Sequence, residues 1–212
     1  MRVTEQTIRD EYLATLTHID QVFPKLVDNR GRHGVFTFPD VHKLTEGLFV
    51  SAWTYWEGFL RSLIAHDVAN DPRGMLRYEV REFRYANAPD RLADRILNHP
   101  DHPERFVEWA DYAVVVRRAD AFLPPGHRFV SPLPQSADLA RLKRIRNAIA
   151  HRSDKAWSSF TALVSEAPFN LAATQRRGIT PGRFLSSHTW NGAPVIQTSV
   201  RLLRAAANVL VP

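Results

Sequence analysis

The sequence predicts an all-α protein, a helical bundle of four to five main helices with a short-helix insertion. Apolar residues recur at three- and four-residue steps over several long segments, whereas little of the chain alternates with a period of two. Glycine-rich loops of the nucleotide-binding type are missing from the sequence, which argues against the common α/β folds. At 212 residues, the chain is expected to form one domain.

The first part of the chain is predicted to contain two long helices. Thr4–Val27 has the helical period, and Pro24 is expected to bend or end this helix. A turn-rich connection follows, with a short extended piece at Val35–Phe38. The second helix is His42–Ala69, and an insertion over 73–103 is predicted to contain two short helices.

The second part of the chain is predicted to contain three further helices. Glu104–Ala121 is the first of them, and the next begins at a capping serine and spans Ser136–Arg152. That helix is expected to continue or restart over 154–166. Pro168–Arg183 is interpreted as a loop with a short turn, and a last helix is predicted over 195–210.

Composition favours an anionic partner and a reducing compartment. The net charge is +6, and 24 arginines stand against 4 lysines. Guanidinium groups bind phosphate bidentately, although a GC-rich genome also enriches arginine. The chain has no cysteine, which excludes disulfides and thiol-based metal sites. The N-terminus lacks the apolar core of a signal peptide and no run is long enough to span a membrane, so a cytoplasmic protein is expected.

The segment Arg146–His151 is the most suggestive motif. It combines a permanently charged guanidinium, the side-chain amide of Asn147 and an imidazole, a set suited to gripping a phosphodiester and moving a proton. The spacing itself carries little weight, because Arg61–His66 and Arg183–His188 share it, where chance gives about one match. Asn147 and the small apolar residues between the two ends distinguish the first match from the others.

Helix geometry predicts where these three side chains point. Asn147 and His151 are four residues apart and share a helix face. Arg146 and His151 are five apart, about 140° around the axis, so they are not expected to converge from one straight helix. Either the helix starts or bends within the motif, or a second copy of the chain supplies the complementary group across a two-fold axis. The geometry therefore favours a dimeric site.

With its polar residue after the arginine, this segment resembles the catalytic motif of HEPN-superfamily ribonucleases. The second helix, with SAWTYWEGFLRSLI, is similar to that of the RiboL-PSP-type HEPN branch. The resemblance implies a single HEPN-like helical domain that forms a homodimer and cleaves RNA without metal or other cofactor, by 2′-hydroxyl attack. His151 is then the general acid or base, Arg146 stabilises the transition state, and Asn147 orients the phosphate or the imidazole.

Further residues follow from this interpretation with alternatives left open. Glu57 corresponds to an acid beside the motif in that branch, although it can equally pair with Arg61 one turn later. The cations that could follow an RNA backbone, or simply form the polar face of the helix, are Arg141, Lys143, Arg144 and Arg152. The five tryptophans are better explained by core or interface packing than by base stacking.

The sequence therefore favours a metal-independent endoribonuclease of toxin or defence type, with RNA, a second copy and an antitoxin or other protein as expected partners. A non-catalytic HEPN module that binds RNA, a nucleotide or a partner protein is the alternative. An unrelated helical DNA-binding or scaffold protein is a third, and the lack of a clear helix-turn-helix counts against it.

Overall fold

The structure is a computed structural model that describes residues 4–31, 33–69, 109, 111–130, 132–151 and 153–212. Over these residues the protein is all-α, as predicted, and its strands form one small hairpin. The predicted insertion at 73–103 lies outside the described residues. Among the helices in the described part of the chain, none combines the length and the apolar character needed to cross a lipid bilayer.

Eight helices and two short strands follow one another along the described residues. They are α1 (Glu5–Asp28), α2 (Phe38–Ala69), α3 (Tyr112–Phe122), α4 (Ser136–His151), α5 (Asp154–Ser165), α6 (Ala173–Arg176), α7 (Pro181–Ser187), β1 (Thr189–Trp190), β2 (Ala193–Pro194) and α8 (Val195–Leu210).

Two predictions about the first helices need correction. Helix α1 does not end at Pro24 but continues to Asp28, because one missing N–H does not outweigh the burial of apolar groups in its last turns, and a bend at Pro24 stays a prediction. Helix α2 begins at Phe38 rather than His42, so Phe38 is not part of an extended piece. The side chain of Asp40 accepts from the Thr37 amide at 2.8 Å and the Thr37 hydroxyl at 2.6 Å, an arrangement that fixes the earlier start.

Helix α3 is also shorter than predicted. Asp111 has an extended backbone and its side chain accepts a hydrogen bond from the Ala113 amide at 3.2 Å, so it caps a helix that begins at Tyr112. The predicted helix from Glu104 therefore does not pass through position 111. Its end is as expected, because Leu123 precedes two prolines and a glycine.

In the C-terminal half, the predicted restart after α4 and the predicted last helix are confirmed, whereas the predicted loop Pro168–Arg183 needs correction. Ser153 is extended and caps α5 by accepting from the Ala156 amide at 3.3 Å. Pro168–Arg183 is not merely a loop with a turn, because it contains α6 and the start of α7. Thr180 caps α7, and Pro181 occupies its first turn, where a missing amide hydrogen costs nothing.

The Cα positions divide into two compact units, and α1, α2 and α8 each contribute residues to both. The first unit comprises Met1–Leu13, Tyr55–Ser136 and Ala206–Pro212. Its core is apolar and rich in aromatic rings, with Tyr12 stacked on Phe59 at 5.1 Å between ring centres.

Arg128 ties three segments of the first unit together. Its guanidinium donates to Asp67 at 2.9 Å, to the carbonyl oxygen of Leu210 at 3.3 Å and to Glu5. The hydrogen bond from Arg128 lowers the pKa of Glu5 below its usual range. These carboxylates and His66 lie within 4.8 Å of one another, a spacing that could hold a metal ion, but a guanidinium already occupies both carboxylates.

The second unit comprises Ala14–Thr54 and Ala137–Ala205. A chain of aromatic rings connects its later elements. Phe160 of α5 meets Phe184 of α7 edge-on at 5.8 Å, and Phe169 contacts Phe184 at 4.9 Å and Trp190 of β1 at 5.1 Å. These rings hold α5, α7 and the hairpin as one packed group.

Candidate functional site

Helix α4 carries the predicted motif in the second unit. Leu139, Leu142, Ile145 and Ala148 recur at three-residue steps and are buried, which fixes the orientation of the helix. The helix ends at His151, where a basic side chain is favourable beside the free carbonyl groups. The remaining face of the last turns therefore presents polar side chains towards solvent.

The structure brings Arg146, Asn147 and His151 together. One guanidinium nitrogen, Nη1 of Arg146, lies 3.2 Å from Oδ1 of Asn147 and donates a hydrogen bond to it. The same nitrogen lies 3.1 Å from Nε2 of His151. His151 is exposed, while Arg146 and Asn147 are half-buried. A phosphate group can therefore reach this cluster from solvent.

The expectation that Arg146 and His151 do not converge from one helix is wrong. Both belong to α4, which runs without interruption from Ser136 to His151. The angle of about 140° describes the Cα positions, whereas the arginine side chain is long enough to bend around the helix to its last residue. The three side chains therefore meet within one chain, and helix geometry does not favour a dimeric site.

The contact between Arg146 and His151 constrains the imidazole. A guanidinium nitrogen can only donate, so the contact is a hydrogen bond when Nε2 of His151 carries the lone pair and the ring proton sits on Nδ1. In this arrangement the lone pair is engaged by Arg146. A proton acceptor therefore lies beside the cation that an incoming phosphate would attract, and it is occupied for as long as Arg146 donates to it.

A cleft of about 290 Å³ opens beside the motif in the same unit. It is lined by residues of α2, α4, α5 and α7 and the turns before them: Lys43, Glu46, Ala148, Ile149, Ser153, Asp154, Trp157, Thr180 and Pro181. Ala148 and Ile149 stand between Asn147 and His151 in α4. The motif and the cleft therefore share one turn of helix.

Glu46 is the most constrained polar group of the cleft. The residue is only 8% exposed, its Oε1 accepts from the Gly182 amide at 3.0 Å, and its Oε2 accepts from Nζ of Lys43 at 2.6 Å. Gly182 is needed there, because a side chain at this position would overlap the carbonyl oxygen of His42. Lys43 itself is mostly exposed, so one end of this arrangement is free to respond to a ligand.

Sequence reasoning missed the cleft and its aromatic wall. Trp157 is 44% exposed, whereas Trp53, Trp56 and Trp190 are buried as core packing predicts. By spacing, Trp157 belongs to the apolar stripe of α5, so periodicity assigns it to the core. One feature of the sequence could have indicated its exposure. Trp157 lies in the first turn after the cap Ser153, and side chains at the start of a helix are often partly open to solvent.

The predicted RNA-backbone cations differ in their surroundings. Arg144 donates to the carbonyl oxygen of Ser159 at 2.7 Å and pairs with Glu166 at 2.9 Å, so it connects α4 with α5. The hydrogen bond from Arg144 lowers the pKa of Glu166. Arg141 pairs with Asp138 at 2.5 Å, within α4. These two arginines have structural roles, and their contact with RNA remains a prediction.

The other predicted site residues are less informative. Lys143 is half-buried on α4. Glu57 is half-buried on α2, in the part of that helix that belongs to the first unit, so its role beside the motif remains a prediction. Arg152 lies outside the described residues.

The two other Arg–His matches have different surroundings. His66 has its Nδ1 3.3 Å from Asp67. His188 is shielded by its surroundings, and burial lowers its pKa. Arg183 donates to the carbonyl oxygen of Arg177 at 3.3 Å.

Comparison with protein-family models, with curated proteins and with solved structures finds no match for this chain. The geometry of the Arg146 cluster and the resemblance of its motif are therefore the features that bear on function.

Proposed function

We propose that this protein is a HEPN-type endoribonuclease that cleaves RNA by 2′-hydroxyl attack without a metal ion. The observation that carries the proposal is the single guanidinium nitrogen of Arg146, which lies 3.1 Å from Nε2 of His151 and 3.2 Å from Oδ1 of Asn147. An imidazole that transfers a proton and a cation that stabilises the developing charge are the two kinds of group that promote metal-free phosphodiester cleavage. The resemblance of the motif supplies the reaction class.

The substrate phosphate completes the catalytic arrangement. Its oxygens attract the guanidinium of Arg146 more strongly than a neutral imidazole does, because charge-assisted bidentate hydrogen bonds are stronger. Movement of Arg146 towards the phosphate releases the lone pair of Nε2 on His151. The base thus becomes available when a phosphodiester is bound.

The reaction then follows in one displacement. Nε2 of His151 accepts the proton of the 2′-hydroxyl while the 2′ oxygen forms a bond to phosphorus. The bond between phosphorus and the 5′ oxygen breaks, the leaving 5′ oxygen takes up a proton from a water molecule, and the products are a 2′,3′-cyclic phosphate and a 5′-hydroxyl. Arg146 stabilises the charge that develops on the phosphate oxygens, and Asn147 orients the guanidinium through its Oδ1.

The wider biological assignment depends on the resemblance alone. A homodimer, a role in defence or as a toxin, and an antitoxin partner are properties expected of HEPN ribonucleases. Cytoplasmic location is proposed with them, because RNA substrates are found there. The convergence of Arg146 and His151 within one chain means that a second copy is proposed as a neighbour that adds a second cluster, rather than as a supplier of missing groups.

Cleavage assays on single variants test the proposal. Wild-type protein is expected to cut RNA in the presence of EDTA, and His151→Ala and Arg146→Ala are each expected to lose at least about a hundredfold in rate. His18→Ala and Arg201→Ala are the matched controls, because both residues are exposed on other helices, and they should retain full activity. Undiminished cleavage by His151→Ala contradicts the assignment.

A non-catalytic RNA-binding module is the second candidate. It is favoured by one observation, the engagement of the His151 lone pair by Arg146 in the structure. This candidate predicts that wild-type protein binds RNA and leaves it intact, with Arg146→Ala weakening the binding. Filter-binding and cleavage measured on the same RNA distinguish the two functions.

A further inference from the structure

The cleft beside the motif has the position of a substrate subsite. Its wall includes Ile149, three residues after Arg146 in α4, and Ala148, three residues before His151, and residues three apart are neighbours on a helix surface. A phosphate held by Arg146 would therefore have this cleft one helical turn away. The part of an RNA strand nearest to a bound phosphate is the nucleoside on either side of it.

The size of the cleft limits its occupant. Its volume of about 290 Å³ lies at the lower end of the range for small-molecule sites. One planar nucleobase with part of its ribose fits this space, whereas the apolar face of a partner helix needs a longer groove. The cleft is thus matched to a single nucleotide unit.

Trp157 supplies a flat and well-supported surface in the cleft. The residue is 44% exposed, and its ring lies 5.7 Å from that of Phe160 at an interplanar angle of 48°. Phe160 is fully buried and packs edge-on against Phe184. The indole ring is therefore backed by the aromatic core of the unit, and an exposed aromatic face of this kind is where nucleic-acid bases stack.

The cleft and the neighbouring cluster differ in charge, so they favour different parts of a nucleotide. Glu46 and Asp154 present two carboxylates to the cleft against the one ammonium of Lys43, which pairs with Glu46. Glu46 is also held in place by the Gly182 amide. Carboxylates accept hydrogen bonds from the amino groups of bases and repel phosphate. Arg146, the cation of the neighbouring cluster, attracts phosphate.

We infer that this cleft is a base-binding subsite, in which one nucleobase of the RNA strand stacks on Trp157 while the adjacent phosphate binds Arg146. The inference rests on the proposed function. Because Glu46 and Asp154 add anionic acceptors to the cleft, beside the hydroxyl groups of Ser153 and Thr180, bases that carry an amino group bind there in preference to uracil. Asp154 is exposed in the first turn of α5 and is the group that makes this choice.

Calorimetric titration with the four ribonucleoside 5′-monophosphates tests the subsite, because these ligands contain no cleavable phosphodiester. Trp157→Ala should weaken binding by about fivefold or more, and Trp157→Phe should weaken it less, since a ring remains for stacking. Tyr55→Ala removes an aromatic side chain of similar exposure that does not line the cleft, and it should leave binding unchanged. Asp154→Asn should reduce the preference for amino-bearing bases over uridine monophosphate.

Three outcomes overturn the inference: equal affinity of the wild type and Trp157→Ala, binding of inorganic phosphate as tight as that of the nucleotides, or no nucleotide binding at millimolar concentration. Circular dichroism of each variant shows whether it is folded. If Trp157→Ala is unfolded, the base preference of Asp154→Asn still tests the subsite. Binding that depends on Trp157 without any RNA cleavage would refute the nuclease and retain the subsite. Cleavage whose KM is unchanged in Trp157→Ala would refute the subsite alone.

Discussion

The connection between α4 and α5 through Arg144 makes a quantitative prediction about stability. The guanidinium donates to the carbonyl oxygen of Ser159 at 2.7 and 3.2 Å, to its hydroxyl at 3.1 Å, and to Glu166 at 2.9 Å. Hydrogen bonds from a charged donor are each worth about 1.5–3 kcal/mol. Three of these four bonds share the single partner Ser159, and the pair with Glu166 is exposed, so their energies do not add. Because the Ser159 carbonyl also accepts within α5, Arg144→Ala leaves no orphaned acceptor and should cost about 2 kcal/mol.

Urea unfolding followed by circular dichroism measures this loss. With a denaturant slope of about 2 kcal/mol per molar urea, Arg144→Ala should lower the midpoint by about 1 M. Glu166→Gln is the matched control, because it removes only the exposed ion pair and should shift the midpoint much less. An unchanged midpoint in Arg144→Ala, or an equal shift in Glu166→Gln, would refute the structural role of Arg144.

Two further predictions concern the second unit. Lowering the pH from 7 to 5 should reduce stability, because burial lowers the pKa of His42 and His188 below that of an unfolded imidazole, so the unfolded chain binds protons that the folded chain resists. The urea midpoint measured at both pH values should depend less on pH when both histidines are replaced by glutamine, and an unchanged dependence contradicts the argument. Gly182→Ala should destabilise by about 1–3 kcal/mol through overlap with the His42 carbonyl oxygen, whereas Gly47→Ala, with open space around it inside α2, should stabilise by up to about 1 kcal/mol. Thermal unfolding of the two glycine variants checks the sign of each, and a stable Gly182→Ala variant would show that α7 does not lie as closely on α2 as described.

The all-α class and the longest helices could be predicted from periodicity. Helix α8 has the predicted bounds, because its apolar stripe is regular and Pro194 precedes its start. Helix starts were less predictable, since they are fixed by single side chains such as Asp40, Asp111 and Thr180. The periodicity of apolar residues contains no information about these caps.

The candidate site was also predictable from the sequence only in part. The three groups of the motif are adjacent in sequence, so their proximity could be anticipated, but the reach of the Arg146 side chain could not be derived from Cα angles. The cleft brings Glu46 within 3.0 Å of the amide of Gly182, and 136 positions separate these two residues. Such a long-range contact requires the packing of α2 against α7, which no local pattern specifies.

The most direct test of the proposed chemistry is the identity of the ends that wild-type protein leaves on a defined RNA in the presence of EDTA. Proton abstraction by His151 from the 2′-hydroxyl predicts 2′,3′-cyclic phosphate on one fragment and 5′-hydroxyl on the other, and no such ends from His151→Ala. Fragments with 3′-hydroxyl and 5′-phosphate ends, or intact RNA, would contradict the proposal.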